Sequence, residues 1–241
     1  MKAMIFAAGL GTRLKPLTDT MPKALVPLAG KPLLQWQVER LRDAGITDIM
    51  VNVHHFPDMI IDTIRRNAGW GCHIQISDER DLLLDTGGGL RKILPSLQGG
   101  DGGRHSILAC NVDILSNIDL RALIAAYEQT GVSQLVVSER QTQRYLCFDE
   151  KGLLCGWTNI ATGELKGKDG QHLAFSGLQI LNQEVLSRLP QMQESKFSLI
   201  PFYLDIMNAV PLQAYVPSNY RMMDVGKIDQ IEEAERFAEG L

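Results

Sequence analysis

The 241-residue chain has few of the features that hold a small secreted or metal-stabilised domain together. Its four cysteines form no C-x-x-C pair, so the sequence indicates neither a structural zinc site nor a disulfide framework. Buried structural thiols are the expectation for Cys72, Cys110, Cys147 and Cys155. Stability must therefore come from an apolar core, for which 45% hydrophobic residues in a chain of this length are sufficient.

Long apolar runs and an excess of positive charge are also missing. The first apolar run, residues 3–8, gives way to the polar Thr12 and Arg13, and is too short for a signal peptide or a membrane span. A formal net charge of -4 offers no broad positive surface to nucleic acid, so an anionic ligand must meet local positive charge. We therefore expect a cytoplasmic protein that binds neither nucleic acid nor membrane.

Apolar runs alternate with helical stripes through roughly the first 140 residues. Residues 1–8, 49–53 and 107–110 are typical of buried parallel strands. Apolar residues at helical spacing predict a helix over 32–44 and another over 58–68. A short helix is also predicted over 90–94, after the glycine triplet Gly87-Gly88-Gly89. This alternation favours an α/β fold with a doubly wound sheet and right-handed crossovers, in which ligands bind beyond the carboxyl ends of the strands.

The pattern changes after residue 137 to short strands separated by glycines. Strands are predicted over 145–148, 153–158 and 174–181, and an amphipathic helix over 228–238. The short strands predict a small inserted antiparallel subdomain that covers a ligand.

A glycine loop follows the first strand and reads Ala-Ala-Gly-Leu-Gly-Thr-Arg. Gly9 and Gly11 let the backbone approach a phosphate and present amide groups to it. Leu14 stands where a dinucleotide fingerprint needs glycine, which argues against a nicotinamide-dependent dehydrogenase, and the Gly-Lys-Ser/Thr of a Walker loop is absent. Arg13 and Lys23 add two permanent positive charges, which favours triphosphate binding over a plain strand-to-helix turn.

Two aspartates follow strand-like runs. Asp113 comes directly after the run 107–110, and Asp224 lies within Met222-Met223-Asp224-Val225-Gly226. Taken alone, an aspartate after a strand is more often a helix cap or a turn residue. Two carboxylates at one sheet edge can also hold Mg2+, which needs few protein ligands because it keeps waters and takes phosphate oxygens.

Taken together, these segments resemble the sugar-phosphate nucleotidyltransferase family over nearly the whole chain. The resemblance implies a Rossmann-like core, a divalent metal, and in-line transfer of a nucleotidyl group from a nucleoside triphosphate to a sugar 1-phosphate, which yields a nucleotide sugar and pyrophosphate. The segments that carry it, in the order of the family, are Leu10-Gly11-Thr12-Arg13-Leu14, Pro16-Leu17-Thr18, Pro22-Lys23, Asp85-Thr86-Gly87-Gly88-Gly89, Asn111-Val112-Asp113, Phe175-Ser176-Gly177 and Met223-Asp224-Val225-Gly226.

The resemblance also implies residue roles. Arg13 would hold the departing β and γ phosphates, Lys23 would bridge the α phosphate and the sugar phosphate, and Asp113 and Asp224 would bind Mg2+. The attacking sugar phosphate, with a second pKa of about 6, is already largely ionised, so positioning and charge compensation suffice without a general base. Further contacts are expected with the nucleotide at Ala8, Gly9, Gly11, Thr12, Thr86, Gly87, Gly88 and Asn111, and with the sugar at Asn159, Ser176 and Gly177.

Several alternatives stay open. The run 85–89 looks most like the short subgroup that uridylylates N-acetylmuramic acid 1-phosphate in cell-wall recycling, which favours UTP. GTP with mannose or heptose 1-phosphate, or a catalytically inactive sensor of nucleotide sugars, are the alternatives. Gly156-Trp157-Thr158-Asn159 replaces a Glu-Lys-Pro stretch of the family, so Trp157 either stacks on a sugar ring or belongs to the core. His54 and His55 point to opposite sides of a strand and are not expected to chelate one metal together.

We expect a single domain over 1–241, in which 1–140 form the nucleotide-binding core, 141–220 mainly the sugar-binding part, and 221–241 the second metal ligand and a closing helix. No appended second activity is expected. The protein is expected to be a monomer or a small homo-oligomer.

Overall fold

A computed structural model describes residues 1–97 and 105–241. Its strands in chain order are β1 (Lys2–Phe6), β2 (Pro27–Leu28), β3 (Lys31–Pro32), β4 (Asp48–Val53), β5 (His73–Asp78), β6 (Ile107–Asn111), β7 (Ile114–Ser116), β8 (Ser133–Ser138), β9 (Arg144–Phe148), β10 (Leu154–Asn159), β11 (Glu164–Gly167), β12 (Gln171–Leu181), β13 (Leu212–Tyr215) and β14 (Met222–Asp224). Its helices are α1 (Leu33–Asp43), α2 (Pro57–Arg66), α3 (Asp85–Leu97), α4 (Leu120–Thr130), α5 (Gln183–Leu186), α6 (Leu199–Ile206) and α7 (Ile231–Ala238).

One mixed sheet organises the molecule, with the strand order β11-β10-β9-β12-β6-β1-β4-β5. β1 pairs in parallel with β4 and β6, and β4 pairs in parallel with β5. β12 runs antiparallel to β6, β8 and β9, so it joins the parallel part of the sheet to the antiparallel strands. Two short ladders, β14-β7 and β2-β3, stand beside this sheet. The predicted doubly wound mixed sheet is confirmed.

The sheet separates two apolar cores because successive side chains of a strand point to opposite faces. Ala3 and Ile5 of β1 pack into one core with residues of α1, α2, α4 and α7. Met4 and Phe6 pack into the other core with residues of α3, α5 and α6. Burial on both faces explains why β1 reads as a continuous apolar run.

The antiparallel strands are the end of the same sheet. The strand predicted over 174–181 begins earlier, at Gln171, and its first residues pair with β9 while its last residues pair with β6. A single long strand can do this because its backbone presents hydrogen-bonding groups on both edges along its whole length. The division at residue 140 between a core and a sugar-binding part stays a prediction.

Two helix predictions need correction. The helix expected to begin at Leu90, after the glycine triplet, begins at Asp85, so Gly87, Gly88 and Gly89 lie inside α3. The closing helix expected over 228–238 consists of a 3-10 turn (Ile228–Gln230) followed by α7. Within the described ranges, no helix has both the length and the apolar composition needed to cross a membrane.

Candidate active site

A cavity of about 480 Å³ opens at the carboxyl ends of β1, β4 and β6. This is the edge at which an open α/β sheet binds its ligands, because the loops that leave neighbouring parallel strands meet there. Most of the nucleotide-binding residues expected from the sequence are brought together in it. The expected residues that line the cavity are Ala8, Gly9, Gly11, Thr12, Arg13, Lys23, Thr86, Asn111 and Asp113.

The glycine loop depends on the backbone of Gly11. This residue has φ +65, a left-handed conformation that non-glycine residues rarely adopt. A Cβ atom added to it would lie 2.7 Å from Cγ2 of Thr18 and 3.0 Å from Cβ of Lys23. The Thr18 hydroxyl donates a hydrogen bond to the Gly11 carbonyl at 2.8 Å. Gly11 therefore sets the close approach of the loop to Lys23.

Gly11→Ala is expected to lower the free energy of unfolding by about 1–3 kcal/mol, because it combines backbone strain with a side-chain clash. Gly30→Ala is the matched control, since Gly30 has φ +76 and open space around the position of a Cβ. Urea unfolding of the two variants separates the clash from the strain. Equal losses in the two variants would show that the contact with Thr18 contributes nothing.

A buried polar network ties the ends of β1, β4 and β5 together. The Ala7 amide donates to Oδ1 of Asn52 at 2.8 Å, and Nδ2 of Asn52 donates to Oε1 of Glu79 at 2.8 Å. The Leu84 amide donates to the other carboxylate oxygen of Glu79 at 3.1 Å. Burial raises the pKa of Glu79, whereas its hydrogen bonds with Asn52 and Leu84 act in the opposite direction. The network holds Asn52 at the wall of the cavity.

Lys23 and Asp113 form the most enclosed ion pair of the site. Nζ of Lys23 donates to Oδ2 of Asp113, and both side chains are mostly buried. Lys23 follows the glycine loop and Asp113 follows β6, so the pair bridges the two sides of the cavity. The ion pair fixes the position of the Lys23 ammonium. An exposed lysine side chain would instead sample many rotamers.

Asp224 reaches the same edge from the far end of the chain. β14 pairs antiparallel with β7, which sets Asp224 opposite Ile114, and the Val225 amide donates to the Asp113 carbonyl at 2.9 Å. Nη2 of Arg13 lies 3.9 Å from Oδ2 of Asp224, a half-exposed pair that contributes little to stability. The two aspartates expected to bind metal are therefore neighbours in space.

The donor set fits a divalent cation. Partial burial, and then the charge of Asp113, raise the pKa of Asp224, whereas Lys23, Arg13 and Arg140 act in the opposite direction. A raised carboxyl pKa means that the site disfavours a second negative charge, which a hard cation with oxygen ligands would neutralise. Asp113 and Asp224 are the residues that could hold such a cation.

The glycine triplet has a packing role that the sequence did not reveal. The amides of Gly87 and Gly88 both donate to the Phe197 carbonyl, at 2.9 and 3.2 Å. A Cβ on Gly87 would lie 2.3 Å from the Phe197 ring, and a Cβ on Gly88 would lie 2.4 Å from the Ser195 carbonyl oxygen. Both amides are therefore engaged within the protein, and contact of Gly87 and Gly88 with the nucleotide stays a prediction. Thr86 remains at the cavity wall.

A second cavity, of about 560 Å³, lies beside the first and is walled by aromatic and basic side chains. Ser198 connects the two cavities, because it lines the second and its hydroxyl donates at 2.6 Å to Asp85, which lines the first. Trp157 lines the second cavity, and the Lys166 ammonium lies over its ring at 5.6 Å from the centroid. The Trp157 position is thus compatible with ring stacking on a ligand.

The expected sugar contacts differ in where they lie. Oδ1 of Asn159 accepts the Ala161 amide at 3.1 Å, so this side chain stabilises a turn and lines neither cavity described above. Ser176 is fully buried, and its Oγ has no hydrogen-bond partner among the described residues. Gly177 has φ +67, and a Cβ there would lie 2.7 Å from Nδ2 of Asn111. Gly177 therefore makes room for Asn111.

The two tandem histidines are held by different partners. Nδ1 of His54 lies 2.7 Å from the Glu79 carbonyl oxygen, and Nε2 of His55 lies 3.1 Å from the Thr18 carbonyl oxygen. The two rings therefore contact different parts of the chain, and both histidines follow β4, which ends at Val53.

Sequence reasoning missed several polar residues at the cavities, among them Asn52, Lys196, Arg140 and Arg144. Asn52 lines the first cavity and is a polar residue inside an apolar strand, a signal that could have identified it. Lys196 also lines the first cavity, and Arg140 and Arg144 line the second. No local motif marks these three, because surface arginine and lysine are ordinary in loops and at strand ends.

Known proteins resemble this chain in sequence. The family model described as nucleotidyl transferase matches residues 2–240. An N-acetylmuramate alpha-1-phosphate uridylyltransferase of Caulobacter vibrioides is 31% identical over 210 residues, which are 83% of this chain and 82% of that protein. The enzyme of the same name from Neisseria meningitidis is 43% identical over 122 residues, which span about half (51%) of each protein.

The solved structures agree in fold. An apo UDP-glucose pyrophosphorylase superposes with a TM-score of 0.80 over 100% of both chains at 18% identity. Identity at this level shows the fold alone.

Proposed function

The chain belongs to the nucleotidyl transferase family, and we propose that it transfers a uridylyl group from UTP to N-acetylmuramic acid 1-phosphate, releasing pyrophosphate. One observation carries the proposal: a cavity lined by the glycine loop, Arg13 and Lys23 adjoins a second, basic cavity. The first suits a triphosphate and the second suits an acidic sugar. The choice of UTP rests on the names of the two uridylyltransferase relatives.

The first step is to bind two polyanions side by side. The amides of the glycine loop and the Arg13 guanidinium would hold the β and γ phosphates. Lys23, which pairs with Asp113, would contact the α phosphate and the incoming sugar phosphate. Asp113 and Asp224 would hold Mg2+, which when bound supplies positive charge against the phosphate oxygens.

The transfer itself needs no deprotonation by the protein. An ionised oxygen of the sugar phosphate forms a bond to the α phosphorus, the bond from that phosphorus to the bridging oxygen breaks, and pyrophosphate leaves with the electron pair. The side chains contribute by aligning the two phosphates and by compensating the charge that shifts to pyrophosphate.

The second cavity carries the argument for an acidic sugar. Three cations, Arg140, Arg144 and Lys166, line it together with one carboxylate, Asp205. N-acetylmuramic acid bears a carboxylate, which mannose and glucose lack. An arginine fork pairs well with a carboxylate in a partly enclosed site. The charge of Arg140 acts to lower the pKa of Asp224, and we therefore assign Arg140 to the phosphates and Arg144 and Lys166 to the sugar carboxylate.

Pyrophosphate release with Mg2+ tests the proposal, with UTP, GTP, CTP, ATP and dTTP each assayed against N-acetylmuramic acid, N-acetylglucosamine, glucose and mannose 1-phosphates. We expect the highest kcat/KM for UTP with N-acetylmuramic acid 1-phosphate. A preference for GTP with mannose 1-phosphate would overturn the substrate assignment and retain the reaction class. If no combination of nucleotide and sugar phosphate releases pyrophosphate, the protein would be a sensor that binds nucleotide sugars without making them.

Arg144→Ala is expected to raise KM for N-acetylmuramic acid 1-phosphate about tenfold, the loss of one charge-assisted hydrogen bond of roughly 1.5 kcal/mol. Turnover with N-acetylglucosamine 1-phosphate, which has no carboxylate, should be unchanged. Arg65→Ala is the control, because Arg65 pairs with Asp62 on the exposed side of α2. Equal changes for the two sugars would show that Arg144 does not read the carboxylate.

A further inference from the structure

A second cluster of potential metal ligands lies on the antiparallel strands, apart from the residues of the nucleotide cavity. It joins Cys147 of β9, Asp169 of the β11–β12 connection and His172 of β12, whose ligand atoms all lie within 4.8 Å of one another. Nε2 of His172 is 2.6 Å from Oδ1 of Asp169, and Sγ of Cys147 is 4.0 Å from the same oxygen. One thiol, one carboxylate and one imidazole therefore point at a common place.

Cys155 supplies a second sulfur beside this cluster. The β9–β10 register shifts between Leu154 and Gly156, the two residues that flank Cys155. Its Sγ lies 3.3 Å from the Cys147 carbonyl oxygen and 3.8 Å from the Asp169 carbonyl oxygen. Cys147 and His172 lie directly opposite each other in the β9–β12 pairing, which orders these two ligands without a metal.

We propose that Cys147, Asp169 and His172 form a binding site for a transition-metal cation of the Zn2+ type. Thiolate, imidazole and carboxylate are the ligands that Zn2+ takes in tetrahedral sites, with bond lengths of about 2.0–2.3 Å. Ligand atoms around such an ion lie roughly 3.5 Å apart, so Nε2 of His172 and Oδ1 of Asp169 would separate from their present 2.6 Å, and Sγ of Cys147 would approach closer than its present 4.0 Å. Mg2+ would not compete well, because sulfur is a poor ligand for it.

The cluster has no arrangement for nucleophilic catalysis. In a cysteine nucleophile the histidine ring contacts the thiol, whereas here Nε2 of His172 contacts Asp169. Burial raises the pKa of the Cys147 thiol to about 11, so the thiol is protonated in the metal-free protein. Binding replaces that proton: the sulfur keeps its electron pair and bonds to the cation, and one proton is released for each thiolate formed.

Metal binding would also affect the second cavity. The His172 ring stacks on the Tyr145 ring, with 5.7 Å between centroids and an interplanar angle of 22°. Tyr145 lines the second cavity. A metal ion that fixes the imidazole of His172 would therefore hold one wall of that cavity in place.

Titration of the reduced full-length chain with Co2+ in place of Zn2+ tests the site. We expect one equivalent to give a thiolate-to-cobalt charge-transfer band and the visible bands of tetrahedral cobalt, both displaced by added Zn2+. Cys72→Ser is the matched control and should keep the spectrum, because Cys72 is a partly exposed free thiol elsewhere in the fold. Asp224→Asn should keep it too, which separates this site from the proposed magnesium site.

Cys147→Ser should remove the charge-transfer band. Since Cys147 is buried and its replacement can impair folding, His172→Gln provides a second test at an exposed residue. This variant should weaken Zn2+ binding at least about tenfold, since even the outer hydrogen-bond partners of metal ligands are worth that much. A wild-type chain without the charge-transfer band, or a His172→Gln chain with unchanged Zn2+ affinity, would overturn the proposal.

Discussion

Lys23→Ala should lower kcat about a hundredfold or more while nucleotide binding changes far less. Removing one group that contacts the charge developed in a transition state costs on the order of 3 kcal/mol. The Lys23 side chain is mostly buried against Asp113, so water cannot easily replace its ammonium. The variant also leaves Asp113 without its cation partner, which adds to the disturbance of the site.

Initial rates of pyrophosphate release, measured over a range of UTP concentrations, distinguish an effect on turnover from an effect on binding. Lys31→Ala serves as the control, because Lys31 pairs with Glu39 and does not line the nucleotide cavity. A Lys23→Ala enzyme with near-normal kcat would contradict both the role of this lysine and the assignment of the cavity as the catalytic site.

The second large effect is expected at Asp224, and it has opposite signs for activity and stability. Asp224→Asn should lower kcat at least about a hundredfold, because it removes one of two carboxylates proposed to hold the divalent cation. The same change should raise the melting temperature of the metal-free protein at neutral pH. It removes an ionised carboxylate that the folded state disfavours.

The sign follows from the raised pKa of Asp224, which partial burial and the charge of Asp113 produce. Below the ordinary carboxyl pKa, Asp224 is protonated in both the folded and the unfolded state. It then does not lower the free energy of unfolding. As the pH rises, the unfolded chain loses this proton first, so folding becomes less favourable until the folded-state pKa is passed. The variant should therefore gain stability at neutral pH and gain none in strong acid.

Thermal melts with and without Mg2+ check this expectation. Mg2+ should stabilise the wild-type chain, because a cation that binds the folded state shifts the unfolding equilibrium, and it should not stabilise Asp224→Asn. Asp62→Asn is the control, since Asp62 is exposed and pairs with Arg65 on α2. Equal stabilisation of wild type and Asp224→Asn by Mg2+ would place the cation elsewhere.

The sequence by itself determined the local parts of this protein. The glycine loop, Arg13 and Lys23 lie within a short stretch, and phosphate binding by backbone amides depends on local conformation, which glycine positions encode directly. The alternating apolar runs predicted the doubly wound sheet for a similar reason. A strand that is buried on both faces needs apolar side chains at consecutive positions, as in β1.

Tertiary structure decided the rest, because these features join segments that are distant in the chain. Arg140 and Arg144 become part of a basic cavity when β9, β10 and the segment after Ser198 come together. Nothing in the local sequence indicates a partner for the amides of Gly87 and Gly88. Both donate hydrogen bonds to the carbonyl of Phe197, more than a hundred residues away. Hydrogen-bond partners and charge neighbours depend on strand pairing and packing, and a linear pattern of residues does not specify these contacts.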